Sequence, residues 1–292
     1  MGENSRAWKK DNNTIYLATN ETGLLVTLRS TDRGSTWGQV YENRDFFQYQ
    51  VRVLGGIPNT DTLILVGYDG QEVAIFRSED GGAVWNKVWS MNSLGCEYMP
   101  FLYTSAGRII TIVKTGGTYY VLTSDDGGKT WVVRYTNNFL GSNLGIFSLV
   151  EGDNGRIFGP VMDASTKYLK ILESDDSGKS WSIITPPSST FSNTASFMGN
   201  ALRLADGTIV ILGTNTHTST PTLLNYSRNN GISWSGRSLS NYRIYRALAV
   251  QNSIIFQNND DKKIYSIDNI ESGNPMVVGT ATFEINDFLG FE

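Results

Sequence analysis

Ser124-Asp125-Asp126-Gly127-Gly128-Lys129-Thr130-Trp131 is an octet that returns, with substitutions, from one end of the chain to the other. It reads STDRGSTW over 30–37, SEDGGAVW over 78–85, SDDSGKSW over 174–181 and SRNNGISW over 227–234. A decayed copy without the tryptophan begins at Ser266 and Asp268. The starting serines stand 46–53 residues apart until the last interval, which is 39. Self-similarity at such a period marks repeated supersecondary units that stack to build a common core.

The octet has a physical reading of its own. An Asp or Asn shortly before a Gly, between runs that alternate apolar and polar side chains, is tight-turn chemistry. The side-chain oxygen accepts backbone N–H groups and the glycine takes a positive φ. Each octet is therefore expected to be a β-hairpin turn whose Ser and Thr hydroxyls tie its arms together. Trp37, Trp85, Trp131, Trp181 and Trp234 begin the outgoing strands and offer flat apolar surface to a neighbouring unit.

On these residues the chain resembles the Asp-box, or BNR-repeat, β-propellers of the sialidase-like superfamily. Asp32, Asp80, Asp126 and Asp176 match the Asp of that motif, and Gly34, Gly82, Gly128, Gly178 and Gly231 match its Gly. Asn229 stands in for the Asp in one copy and Val84 for the Thr in another. The resemblance implies an all-β, six-bladed β-propeller of four-stranded antiparallel blades, with each box a structural turn remote from any active site. It specifies fold and leaves function to the site.

The chain in order fits six units of about 49 residues, the size of a four-stranded blade. The first holds the runs 13–19, 23–29 and 37–41; the second 46–54, 62–67 and 72–76; the third 98–104, 107–113 and 118–122. The fourth holds 144–150, 155–161 and 168–172; the fifth 195–204, 207–213 and 222–225; the sixth 244–250, 253–257 and 262–267, with 275–285 as its outer strand. Every run alternates with period two, none with the helical period, and residues 1–292 read as a single domain.

Composition narrows the function classes. Charged residues make up 18%, the net charge is −4, and Lys and Arg are scattered singly, which excludes a nucleic-acid-binding stripe. No stretch is apolar enough to insert in a membrane, and the start MGENSRAWKK holds no signal-like apolar region. The single cysteine, Cys96, excludes an intrachain disulfide, and the single histidine, His217, excludes a histidine zinc site. Asp125-Asp126, Asp175-Asp176 and Asp260-Asp261 read as turn residues rather than a metal centre, so no cofactor is expected.

The sialidase resemblance implies an arginine cluster for a carboxylate, a Tyr activated by a Glu, and an Asp acid. It also implies an Arg-Ile-Pro motif ahead of the first box. Here Ser5-Arg6-Ala7-Trp8 stands in that place, and Ile57-Pro58 follows Gly56 instead. Arg6, Arg52, Arg203 and Arg246 fall on expected first strands, Tyr245 adjoins Arg246, and Glu97 adjoins Tyr98. The plainer reading makes these arginines and tyrosines the lining of a hydrated channel.

Aromatics near the blade entrances, Phe46, Phe47, Tyr49, Tyr119, Tyr120, Tyr242 and Tyr245, supply stacking surfaces for sugar rings or packing between blades. The ligand-binding set expected is Arg246, Tyr245, Tyr242, Arg52 and Tyr49. The reading is a non-catalytic propeller that binds a glycan or glycosylated receptor in a secreted, surface or virion setting such as a phage tail. A divergent exo-glycosidase of sialidase type is the alternative, and a structural subunit of a larger particle is a third.

Overall fold

The computed structural model describes residues 6–21, 24–43, 49–93, 99–115, 118–137, 144–146, 148–163, 168–187, 197–215 and 221–280. It is all-β, a six-bladed β-propeller, and divides into two compact units, Met1–Thr136 with Phe291–Glu292, and Asn137–Gly290. Among the described residues the one helical element is a single 3-10 turn at Asp153–Gly155.

The first unit holds three blades, each with four strands hydrogen-bonded in chain order. Blade 1 is β1 (Arg6–Lys9), β2 (Ile15–Glu21), β3 (Leu24–Ser30) and β4 (Gly38–Asn43). Blade 2 is β5 (Gln50–Gly56), β6 (Leu63–Tyr68), β7 (Glu72–Ser78) and β8 (Asn86–Asn92). Blade 3 is β9 (Phe101–Tyr103), β10 (Ile109–Thr115), β11 (Thr118–Ser124) and β12 (Val132–Asn137). Strand β6 shows how the unit coheres. Leu63 and Leu65 pack with Tyr16 and Ala18 of blade 1, while Ile64 and Val66 pack with Ile109 and Val113 of blade 3. Alternate side chains thus serve opposite faces, and LILV is wholly apolar because both faces are covered.

The second unit begins with β13 (Leu144–Ile146) and blade 4, which is β14 (Val150–Glu151), β15 (Ile157–Asp163), β16 (Tyr168–Ser174) and β17 (Ser182–Ile184). Blade 5 is β18 (Phe197–Arg203), β19 (Ile209–Asn215), β20 (Thr222–Ser227) and β21 (Ser235–Leu239). Blade 6 is β22 (Ile244–Val250), β23 (Ser253–Asn258), β24 (Lys263–Ile267) and β25 (Met276–Thr280). Val210, Leu212 and Leu224 meet Ile254 and Phe256 in the core between blades 5 and 6.

The run 144–150 is not a single first strand of blade 4: Leu144–Ile146 pairs in parallel with Phe197–Gly199 of blade 5, and only Val150–Glu151 pairs with β15. Ser148, between the two pieces, accepts the Ala201 N–H at 2.6 Å and donates to the Ala201 carbonyl at 3.2 Å. The edge of β18 therefore gains a fifth strand and a hydroxyl clamp.

The five octets join the third and fourth strands of blades 1 to 5, as expected of hairpin turns. In each, two successive residues take positive φ: 33 and 34, 81 and 82, 127 and 128, 177 and 178, 230 and 231. Ser124 Oγ donates to Asp126 Oδ1 (2.8 Å) and accepts the Gly128 N–H (2.8 Å). Asp126 also accepts the Thr130 N–H (2.9 Å) and the Thr130 hydroxyl (2.7 Å). The departures are absorbed locally. Val84 still donates its N–H to Asp80 (2.9 Å), and Asn229 Nδ2 donates to Ser233 Oγ (2.8 Å) in place of the carboxylate contact. In the decayed copy the Ser266 hydroxyl donates to Asp268.

Candidate functional site

Within each blade the register fixes two ends. Octets and the connections from first to second strand lie at one end; the connections from second to third strand lie at the other, the loop end. Polar contacts stitch neighbouring blades at the octet end. Arg77 Nε donates to the Gly127 carbonyl (2.7 Å), and Asn230 both accepts the Asp153 N–H and donates to its carbonyl (2.9 Å each).

The arginines expected on first strands divide between these ends. Arg203 sits level with Ser227 at the octet end, exposed, and its guanidinium is ion-paired with Asp153. It is therefore not grouped with Arg246 of the adjacent β22, which lies toward the loop end of its strand. Arg6 is buried, and its Nε donates to the backbone carbonyl of Arg52 at 2.9 Å. Arg6 thus holds the backbone of β5 in place.

Arg52 and Arg246 each stand, in their own blades, in the same kind of local backbone irregularity, which the sequence did not reveal. Strand β5 shifts register between Val51 and Val53, and β22 between Ile244 and Ala247, so each arginine stands in a β-bulge of a first strand. Bulges re-aim side chains and gather beside functional sites. The Arg52 Nη2 donates to Gln50 Oε1 at 2.6 Å, while its Nε is buried and without a partner among the described residues. Arg246 is half-buried; the side chain of Tyr245 lies outside the described residues.

The aromatic candidates take other roles. Tyr49 is 6% exposed, its ring meets Phe76 edge-on at 5.1 Å, and its hydroxyl donates to Glu72. Tyr242 packs edge-on against Phe256 (5.8 Å) and Tyr265 (5.1 Å) in the core of blade 6. Both are packing residues rather than open stacking platforms. Tyr119 is buried, Tyr120 packs against the core of blade 3, and Phe46, Phe47, Cys96, Glu97, Tyr98 and His217 lie outside the described residues.

Tyr49 with Glu72 is the Tyr–Glu contact that adjacency in sequence could not disclose. The Tyr49 hydroxyl, and after it Lys87 Nζ at 2.9 Å, hold the Glu72 carboxyl below its ordinary value. Glu72 is thereby a fixed anion, ill suited to take a proton from the tyrosine. Two further tyrosines are hydroxyl donors to carboxylates. Tyr16 is pushed up to about 12 by burial and by Asp61, and Tyr265 to about 12 by Asp261 and by burial. Neither ionises near neutral pH.

Of the paired aspartates, Asp125, Asp126, Asp176, Asp260 and Asp261 have partners, and Asp126 and Asp176 are held inside their octets. Asp125 takes a fork from Arg108 (2.5 and 3.1 Å), Asp260 pairs with Arg243, and Asp261 accepts from Tyr265 (2.6 Å). Among the described residues no three His, Cys, Asp or Glu side chains gather as a metal-binding group, and no helix is long and apolar enough to cross a membrane.

No protein-family model and no curated protein matches the chain. Solved structures are similar in fold. A protein from Lactobacillus plantarum is 10% identical over 94% of this chain and 83% of its own, with a TM-score of 0.64. YCF48 bound to a D1 peptide is 16% identical over 86% of this chain and 73% of that one, with a TM-score of 0.55. The Hadza microbial sialidase Hz136 is 12% identical over 90% of this chain and 62% of that one, with a TM-score of 0.51. At such identities the likeness is one of fold alone.

Proposed function

We propose that this protein is a non-catalytic propeller that binds an acidic glycan or a glycosylated receptor through the arginines of its first-strand bulges. The observation that carries this reading is the pair of arginine-centred bulges at Arg52 and Arg246. A guanidinium offers a planar fork of donors that suits a carboxylate, and the buried Arg52 Nε gains a partner when one is supplied. Two observations weigh against hydrolysis. Tyr49 is buried with its Glu72 already ion-paired, and Arg203 is spent on Asp153 at the octet end. The octets, on this reading, are Asp-boxes that build blades and take no part in binding. The polar, low-charge surface suits a secreted, cell-surface or virion setting.

The test is a glycan array of acidic and neutral sugars, run beside a fluorogenic sialoside turnover assay, on the wild type, Arg52→Ala and Arg246→Ala. Binding of acidic glycans without turnover, weakened about tenfold or more in at least one of the two variants, is the expected outcome. Turnover by the wild type, or binding untouched by both substitutions, overturns the reading.

A further inference from the structure

We propose that Asn154 is a self-modifying site: the Gly155 backbone nitrogen attacks its side-chain amide and converts it to aspartate and isoaspartate, and the isoaspartyl form loosens the contact between blades 4 and 5. The chain holds two Asn-Gly pairs, 154–155 and 230–231. Glycine has no side chain to shield its nitrogen, so attack is least hindered in this dipeptide. The fold treats the two pairs differently. Asn154 is exposed, with φ 57 and ψ 28, inside the single 3-10 turn at Asp153–Gly155, and its side chain has no hydrogen bond among the described residues. A lone turn of this kind opens at little cost, which frees ψ to bring the Gly155 nitrogen onto Cγ. Asn230 is half-buried; its Oδ1 accepts the Asp153 N–H and its Nδ2 donates to the Asp153 carbonyl (2.9 Å each), while the Gly231 N–H donates to Ser227 Oγ at 2.8 Å. Both reacting groups of that pair are engaged, and freeing them opens an octet and a blade contact together.

Water is the only co-reactant. A bond forms between the Gly155 nitrogen and Asn154 Cγ, the Cγ–Nδ2 bond breaks, and the amide proton leaves with Nδ2 as ammonia. Water then opens the succinimide ring. Cleavage at Cγ leaves aspartate; cleavage at the main-chain carbonyl carbon leaves isoaspartate, whose backbone runs through Cβ and Cγ and is one atom longer. That atom must fit between two anchors. Upstream, Asp153 is held by both of its bonds to Asn230 in the octet of blade 5. Downstream, the Gly155 carbonyl accepts the Ser177 N–H of the blade 4 octet at 3.2 Å, and a side chain on Gly155 would run into Ser177 Oγ. A turn pinned at both ends lengthens only by giving up an anchor, and Asp153 is the exposed one. The aspartyl form keeps the backbone length and leaves the contact in place.

The whole chain, aged at mildly alkaline pH in buffer and in urea, tests this by peptide mapping with mass spectrometry. The exchange of amide for acid raises the mass of the peptide, and fragmentation assigns the change to a residue. In the native chain Asn154 should convert about tenfold or more faster than Asn230, and in urea the two rates should converge. Aged wild type should melt about 2–4 °C below fresh protein. Asn154→Gly accepts the positive φ and has no amide, so the same ageing should lower its melting temperature less. Fresh Asn154→Asp should melt close to fresh wild type, which separates the longer backbone from the added charge. An unmodified Asn154, conversion of Asn230 at an equal rate in the native chain, an equal fall on ageing in Asn154→Gly, or an equal fall in fresh Asn154→Asp overturns the proposal.

Discussion

Trp37, in the octet of blade 1, is 39% exposed, whereas Trp131, at the same position in blade 3, is 8% exposed and lies in a core cluster with Ile64, Val66 and Ile109. The bonds inside the two octets are nevertheless the same. Ser30 Oγ donates to Asp32 Oδ1 at 2.7 Å and Ser124 Oγ to Asp126 Oδ1 at 2.8 Å. The hydroxyls of Thr36 and Thr130 reach Oδ2 at 2.6 and 2.7 Å, and the two indoles donate to the Gly34 and Gly128 carbonyls at 3.0 and 3.1 Å. The turn is therefore a local object, complete within its eight residues. Its value to the core is decided elsewhere, by what the neighbouring blade presents.

Substituting the tryptophans should separate these two contributions most widely. Trp131→Ala removes a large side chain from a packed cluster and is expected to cost about 3–5 kcal/mol. Trp37→Ala, at a half-open position, should cost less than about 1 kcal/mol. Urea unfolding of the two variants measures both, and equal losses would mean the octets pack alike. The glycines give the next contrast. Gly34 and Gly128 both hold φ near +86 (87 and 85), but a Cβ on Gly128 runs into the Ile64 side chain, while one on Gly34 has its nearest neighbour at 3.7 Å. Gly34→Ala should lose about 1–2 kcal/mol from the left-handed backbone alone. Gly128→Ala should lose about 2–4 kcal/mol, because overpacking is added.

A smaller effect tests whether the carboxylate itself matters. Asp126→Ala leaves the Ser124, Lys129 and Thr130 donors without their acceptor and should cost about 2 kcal/mol. Asp126→Asn should cost less than about 1 kcal/mol, because Asn229 already closes the octet of blade 5 through its Oδ1 with Ser227 (2.9 Å) and its Nδ2 with Ser233. Thermal unfolding of the two variants decides the order.

What could be read from the sequence follows the same division. The octets, the order of strands and the six blades were legible because every donor and acceptor of the turn lies within one short window. The long-range facts were not. Leu144–Ile146 joins blade 5 through residues some fifty positions away, and Tyr49 finds Glu72 across 23 residues. The octet glycines were assigned to backbone geometry, whereas Gly128 against Ile64, Gly82 against Thr27 and Gly231 against Phe158 also let neighbouring blades approach. The bulges at Arg52 and Arg246 left one trace, a lone charge inside the apolar runs VRVL and IYRALAV, and the alternation rule alone gave no reason to stop there.

The last contrast should vanish. The Thr36 hydroxyl, then the Thr36 N–H and Ser30, hold Asp32 at about 2; for Asp126, burial works upward but the Thr130 N–H and hydroxyl with Ser124 outweigh it, again to about 2. An Asp in the unfolded chain titrates near its ordinary value of about 3.9. The folded form is thus the stronger acid, so each carboxylate adds stability that is fully present above about pH 4 and is lost as the pH falls toward about 2. Asp32→Asn and Asp126→Asn should each flatten the acid limb of a plot of Tm against pH in that window, and by similar amounts, since the internal bonds are alike. Both carboxylates are largely exposed, so added salt should trim the two effects equally. A clear difference between the two variants would show that the packing of Trp131 reaches into the turn, and the octet would no longer be a local object.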